Sequence, residues 1–131
     1  MERVSGIGGF FFRAEEPERL AAWYAEHLGV DGPPAAYGDP SWRQEAGPTV
    51  FIGMATGEHL GGPERIWSVN FRVRDLAAMV AQLRGAGIEV EVDPETYPNG
   101  TFASLRDPEG NALQLWEPGG VDAEEPVGTG G

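Results

Sequence analysis

Residues 102–118 read FASLRDPEGNALQLWEP, and this stretch decides the fold. Two alternating runs flank a four-residue turn, Asp107-Pro108-Glu109-Gly110. Pro108 presets the backbone at the second turn position, and Gly110 tolerates the left-handed conformation needed to leave it. Successive side chains of a strand point to opposite faces, so Leu113 and Leu115 enter a core while Ala112, Gln114 and Trp116 share the other side. An indole beside a neutral amide suits a ligand wall, an interface or half-buried packing.

Working outward, the same code of strand and helix signals repeats. Ahead of the hairpin, IEVEVD (88–93) reads as a strand, and Asp75 is an N-cap for LAAMVAQLRGAG (76–87), where Leu76, Met79, Val80 and Leu83 form an apolar stripe. RIWSVNFRV (65–73) is a strand leading into that helix. In the first half, IGGFFFRA (7–14) is a strand and EEPERLAAWYAEHLG (15–29) is a helix. Pro17 stands at its first position, Gly29 at its end, and Leu20, Trp23, Tyr24 and Leu28 on its packing face. SWRQEA (41–46) and PTVFIGMA (48–55) form a hairpin around Gly47. The halves echo each other: Phe12-Arg13 precedes Glu15-Glu16 and a helix, and 59 residues later Phe71-Arg72 precedes Arg74-Asp75 and a helix. The repeated order favours an α+β fold of two tandem βαβββ modules, about 6–56 and 65–118, within one domain spanning 1–118. The acidic, glycine-rich GGVDAEEPVGTGG (119–131) reads as a disordered tail.

Composition limits the function classes. The chain's 131 residues suffice for one domain with a real core. With no cysteine, disulfides, thiolate metal sites and thiol nucleophiles are excluded. No apolar run approaches the roughly 20 residues a membrane span needs, and no basic-then-apolar leader is present, so a cytoplasmic protein is expected. The 21 acidic residues against 9 basic ones, all arginine, give a formal net charge of −12. Such a surface repels phosphate backbones and anionic lipid, which argues against nucleic-acid and membrane partners. GIGG (6–9) opens a strand and not a helix, so it makes no phosphate loop, and no Ser-His-acid arrangement fits.

The helix ending WYAEHLGV (23–30), the second half opening WSVNFRVRDL (67–76) and the closing DPEGNALQLWEP (107–118) together resemble the vicinal oxygen chelate superfamily. Glyoxalases, extradiol dioxygenases and bleomycin-resistance proteins belong to it. The resemblance covers roughly residues 6–118 and implies paired modules curled into a concave mixed sheet, in a homodimer whose sites include both chains. Its enzymes hold a divalent metal, and here the corresponding positions are Gly9, Ser68 and Gln114, with the central-strand position near Val50 or Phe51. Glycine offers no ligand, serine is a poor one at neutral pH and glutamine is weak and neutral. The resemblance thus implies no metal and no cofactor, and argues against metal-dependent catalysis. His27, in a last helical turn, suits a structural role; His59 falls in a glycine-rich connection; Glu89, Glu91 and Asp93 alternate as a solvated strand face.

Strand parity then gives a candidate ligand-binding set: Phe11 and Arg13 from the first strand, Ser68, Asn70 and Arg72 from the fifth, and Gln114 and Trp116 from the last. Trp42, Phe51, Tyr97 and Phe102 complete it, while Trp67 is assigned to packing. Aromatic area with a few orienting amides suits a flat, hydrophobic aromatic molecule. The expected function is non-catalytic sequestration of a cytotoxic natural product of bleomycin, mitomycin or enediyne type. Two other readings stay open: an enzyme (lyase, isomerase or dioxygenase), using a metal held elsewhere or Arg13, Tyr97 or a pocket carboxylate, and a structural or regulatory dimer.

Overall fold

The computed structural model describes residues 1–124. Its regular elements are helix α1 (Pro17–Leu28), strand β1 (Val69–Arg72), helix α2 (Leu76–Gly85), and strands β2 (Glu91–Val92), β3 (Gly100–Arg106) and β4 (Ala112–Pro118). The strands form one mixed sheet in the order β1-β4-β3-β2. β4 runs parallel to β1 and antiparallel to β3, and β2 is antiparallel to β3.

Local chemistry sets the helix ends. α1 begins with Pro17 at its first position, where a missing N–H costs no intrahelical bond, and stops at Gly29, whose φ of 70° is left-handed. α2 is capped by the Asp75 carboxylate, which accepts from Ala78 N at 3.0 Å. A second carboxylate serves the same end: Glu117 of β4 accepts from Leu76 N at 2.8 Å, tying the last strand to the start of α2. Glu109, in the β3–β4 turn, accepts from Glu15 N and Glu16 N at 2.7 and 3.2 Å, just ahead of α1. The hairpin therefore anchors the entrances of both helices with negative charge, as the helix dipole favours.

Both helices cover one face of the sheet. Leu20 and Tyr24 of α1, Leu76, Val80 and Leu83 of α2, and Ala103, Leu105, Leu113 and Leu115 of the sheet form a single core, joined at its margin by Val69, Phe71 and Val73. Leu83, Leu113 and Leu115 are fully buried, and each contributes about 1.5–3 kcal/mol through apolar burial. The alternation seen in LQLW thus does what strand periodicity requires: the leucines go under the helices and Gln114 goes to the opposite, open face.

Under the hairpin lies a polar knot. Asp107 is only 5% exposed, and its carboxylate accepts from Glu109 N, Asn111 N, Asn111 Nδ2 and the Tyr24 hydroxyl at 2.7–3.0 Å. The turn closes with Gly110 N donating to Asp107 O at 2.9 Å and Gly110 at φ 81°, as the sequence requires.

The first half differs from its expected strands. Segments 7–14, 41–46 and 48–55 run extended without joining a ladder, and among the described residues all sheet pairing belongs to the second half. Their apolar side chains stand in the open, Phe11 at 94% and Phe51 at 92% exposure. Two contacts hold this half in place. Phe10 and Phe12 pack on Trp67 at ring separations of 5.2 Å. Arg72 donates to Glu45 O and Pro48 O, both at 2.6 Å, and its neighbour Arg74 pairs with the Glu45 carboxylate. In the expected tail, Gly120–Asp122 forms a short 3-10 turn; residues 125–131 lie outside the described ones. Among the described residues no helix is long and apolar enough to cross a membrane.

Candidate functional site

The open face of the sheet can be read row by row from its register. Asn70 lies opposite Gln114, Gln114 opposite Ser104, and Ser104 opposite Glu91, so these four side chains cross the sheet in one line. Two residues along, Arg72, Trp116 and Phe102 form the next row. Two residues the other way, Ala112 pairs with Arg106, and Ser68 closes that row by donating to Ala112 O at 3.0 Å.

Each row has its own chemistry. The aromatic row is stiff: Trp116 and Phe102 stack with rings 2° from parallel and centroids 6.2 Å apart, and Tyr97 meets Phe102 edge-on at 5.8 Å. Trp116 is only 3% exposed, its indole N–H donating to Asn99 O at 2.8 Å. Gly100 is required beside it, since a Cβ there would come within 2.9 Å of the indole nitrogen and 2.1 Å of Glu117 O. The indole is buried in this row, and Phe102 beside it carries the more exposed ring. The Tyr97 hydroxyl donates to Asp93 at 2.9 Å, which raises its pKa.

The middle row is polar and exposed. Asn70 Nδ2 donates to Gln114 Oε1 at 2.7 Å. The flanking arginines are committed elsewhere. Arg72 bonds the carbonyls of residues 45 and 48, and Arg106 donates to Gly110 O and Gly61 O at 2.8 and 2.9 Å.

An open cleft of about 3730 Å³ borders the extended first half, including Phe11, Trp42 and Phe51, and runs past both faces of the sheet, since core-side Leu20, Tyr24 and Leu113 line it together with Asn70 and Gln114. Of the residues picked out by parity, the cleft gathers Phe11, Trp42, Phe51, Ser68, Asn70, Arg72, Phe102, Gln114 and Trp116 on its walls; Arg13 and Tyr97 lie off them. Sequence reasoning passed over Ser104, Arg106 and Glu91. The first two share the parity of Phe102, a signal present in TFASLR, whereas the alignment of Glu91 with Ser104 follows only from register.

The positions that would supply a metal do not fit one. Gly9 has no donor, Ser68 Oγ is spent on Ala112 O and Gln114 Oε1 accepts from Asn70. Among the described residues no three His, Asp or Glu side chains converge on a common point. His59 sits exposed in the 3-10 turn Glu58–Leu60, and His27 lies at the end of α1 against Trp23.

The described residues thus form a two-layer α+β unit whose sheet leaves one face open, carrying aromatic and amide side chains. The chain belongs to the glyoxalase-like domain family, which matches it over residues 9–116. No curated protein sequence matches it. Among solved structures it is similar to TnmS3, an antibiotic binding protein from Streptomyces sp. CB03234, with 22% identity, a TM-score of 0.58 and coverage of 90% of this chain and 99% of that one. It is also similar to a glyoxylase/bleomycin resistance protein/dioxygenase domain from Frankia sp. EAN1pec, with 15% identity, a TM-score of 0.53 and 88% and 99% coverage. A third is lactoylglutathione lyase from Agrobacterium tumefaciens, with 18% identity, a TM-score of 0.51 and 88% and 96% coverage. At these identities the likeness is one of fold.

Proposed function

We propose that this chain binds and sequesters a flat, hydrophobic aromatic natural product, of bleomycin, mitomycin or enediyne type, and returns it unchanged. One observation carries the reading: where a metalloenzyme of this fold would present a carboxylate, the open face presents the Asn70–Gln114 amide pair beside the Phe102–Trp116 stack. Aromatic surface supplies apolar area and offset stacking, and amides orient without activating. The fold shared with an antibiotic binding protein supports the same choice. Protection follows from mass action, because trapped drug cannot reach its target.

Two such chains act together in this reading, each completing the other's site and the two tandem modules. The exposed Phe11, Phe51 and their unpaired backbone give a second copy both an apolar surface and hydrogen-bonding groups to cover.

The test is native mass spectrometry of the protein with bleomycin, mitomycin C and an enediyne antibiotic, followed by chromatography of the recovered ligand. Dimers carrying intact ligand are expected. Turnover of the ligand at catalytic protein concentrations, or no complex with any of the three, overturns the proposal.

A further inference from the structure

Asn70 and Gln114 join through a single bond, Asn70 Nδ2 to Gln114 Oε1. The reciprocal bond, which would close the two amides into a ring, is not formed. Asn70 Oδ1 and Gln114 Nε2 have no other side-chain or backbone partner among the described residues, and both residues are exposed on the open face. One acceptor and one donor thus stand side by side, on residues directly opposite in the parallel β1–β4 pairing and joined by the bond between the two amides.

Such an edge is complementary to a group that carries its own donor and acceptor side by side. A lactam does this: its ring N–H meets Asn70 Oδ1 while its carbonyl meets Gln114 Nε2. A carboxylate does not, because it is all acceptor. The two guanidiniums in the adjoining rows of the sheet, Arg72 and Arg106, are both occupied by backbone carbonyls. The net charge of −12 further disfavours an anion. Beside this row stands Phe102, two residues' rise or about 7 Å along the strands, so a fused ring lying on Phe102 brings its polar edge to the amides.

We propose that the Asn70–Gln114 pair is the specificity element of the site and reads a neutral lactam-type edge, N–H beside C=O, on a fused aromatic ligand. This rests on the flat-ligand reading above and adds to it the polar group recognised. A site built to satisfy a donor and an acceptor rejects analogues lacking one of them, since its own group is left unpaired.

Isothermal titration calorimetry with three tricyclic probes tests this: 6(5H)-phenanthridinone, its N-methyl derivative and phenanthridine. The lactam is expected to bind at least tenfold more tightly than the N-methyl compound. Asn70→Leu should bring those two within twofold of each other by weakening only the lactam. Gln114→Glu, which keeps the bond from Asn70 but replaces the outward donor with an acceptor, should weaken both carbonyl probes at least tenfold and leave phenanthridine unchanged. Equal binding of lactam and N-methyl lactam by the native protein overturns the amide-edge assignment while leaving flat-ligand binding standing. Binding of none of the three overturns both. Circular dichroism on each variant separates loss of recognition from loss of fold.

Discussion

Replacing Tyr24 with phenylalanine deletes one oxygen from the polar knot beneath the hairpin. The ring stays packed in the core, but the Asp107 carboxylate loses the bond that the Tyr24 hydroxyl donates at 2.7 Å. A hydrogen bond to a charged group is worth about 1.5–3 kcal/mol. Asp107 keeps Glu109 N, Asn111 N and Asn111 Nδ2, so the low end applies, and we expect a loss of about 1.5 kcal/mol, or about 5 °C in Tm. The pH dependence gives a second, independent signature. Burial first, and then the bond to Asp107 and the nearby carboxylates, hold the folded Tyr24 phenol far above its usual value of 10.0. A raised folded pKa means that this stabilisation is complete below about pH 10 and is lost as the pH rises above it, where the unfolded phenol ionises and the folded one does not. The native protein then loses stability relative to Tyr24→Phe by up to about 1.4 kcal/mol per pH unit. Urea denaturation of both proteins between pH 7 and 11 measures the difference. A neutral-pH difference below about 0.5 kcal/mol, under half of one ordinary hydrogen bond, or a gap that stays constant to pH 11, would falsify this account of the knot.

Three further outcomes follow from the contacts described. Glu117→Ala removes an acceptor from the first N–H of α2 and should cost about 1 kcal/mol, with faster amide exchange at Leu76; unchanged exchange there would show that Asp75 caps the helix alone. Arg72→Met releases the carbonyls of residues 45 and 48, so limited proteolysis should cut faster within 45–49 while α2 stays intact; an unchanged cleavage rate in the variant would mean that another contact holds the segment. Adding Ni, Zn, Mn or Fe at one equivalent should leave Tm unchanged, because Gly9, Ser68 and Gln114 offer no ligand set. A rise in Tm with stoichiometric metal in the purified complex would place a binding site among other residues.

Much of this molecule is legible locally. Pro17 and Gly29 mark the ends of α1, Asp75 caps α2, and the alternation of Leu113 and Leu115 with Gln114 assigns the two faces of β4, each through chemistry that acts within a few residues. The same local logic placed Ser68, Asn70 and Arg72 on one side of β1. It did not show that Arg72 spends its guanidinium on carbonyls 27 and 24 residues away in sequence, because periodicity says which way a side chain points and not what it meets. It also assigned strands to 7–14, 41–46 and 48–55 on apolar and β-forming composition, whereas these segments run unpaired in the single chain. A strand propensity is satisfied only when a neighbouring strand supplies the ladder.

The amino-acid sequence by itself determined the helix boundaries, the hairpin turn, the division of β1 and β4 into a core face and an open face, and the absence of metal ligands at the expected positions. Those depend on backbone sterics, capping groups and residue chemistry that need no distant partner. Only the tertiary structure decided that Gln114 and Trp116, neighbours on one face of one strand, play different parts. Trp116 is buried, stacked on Phe102 and bonded to Asn99, while Gln114 stands exposed and paired with Asn70. The register between β1, β4 and β3 makes that distinction, and register is set by pairing across the sheet, which strand periodicity alone leaves open.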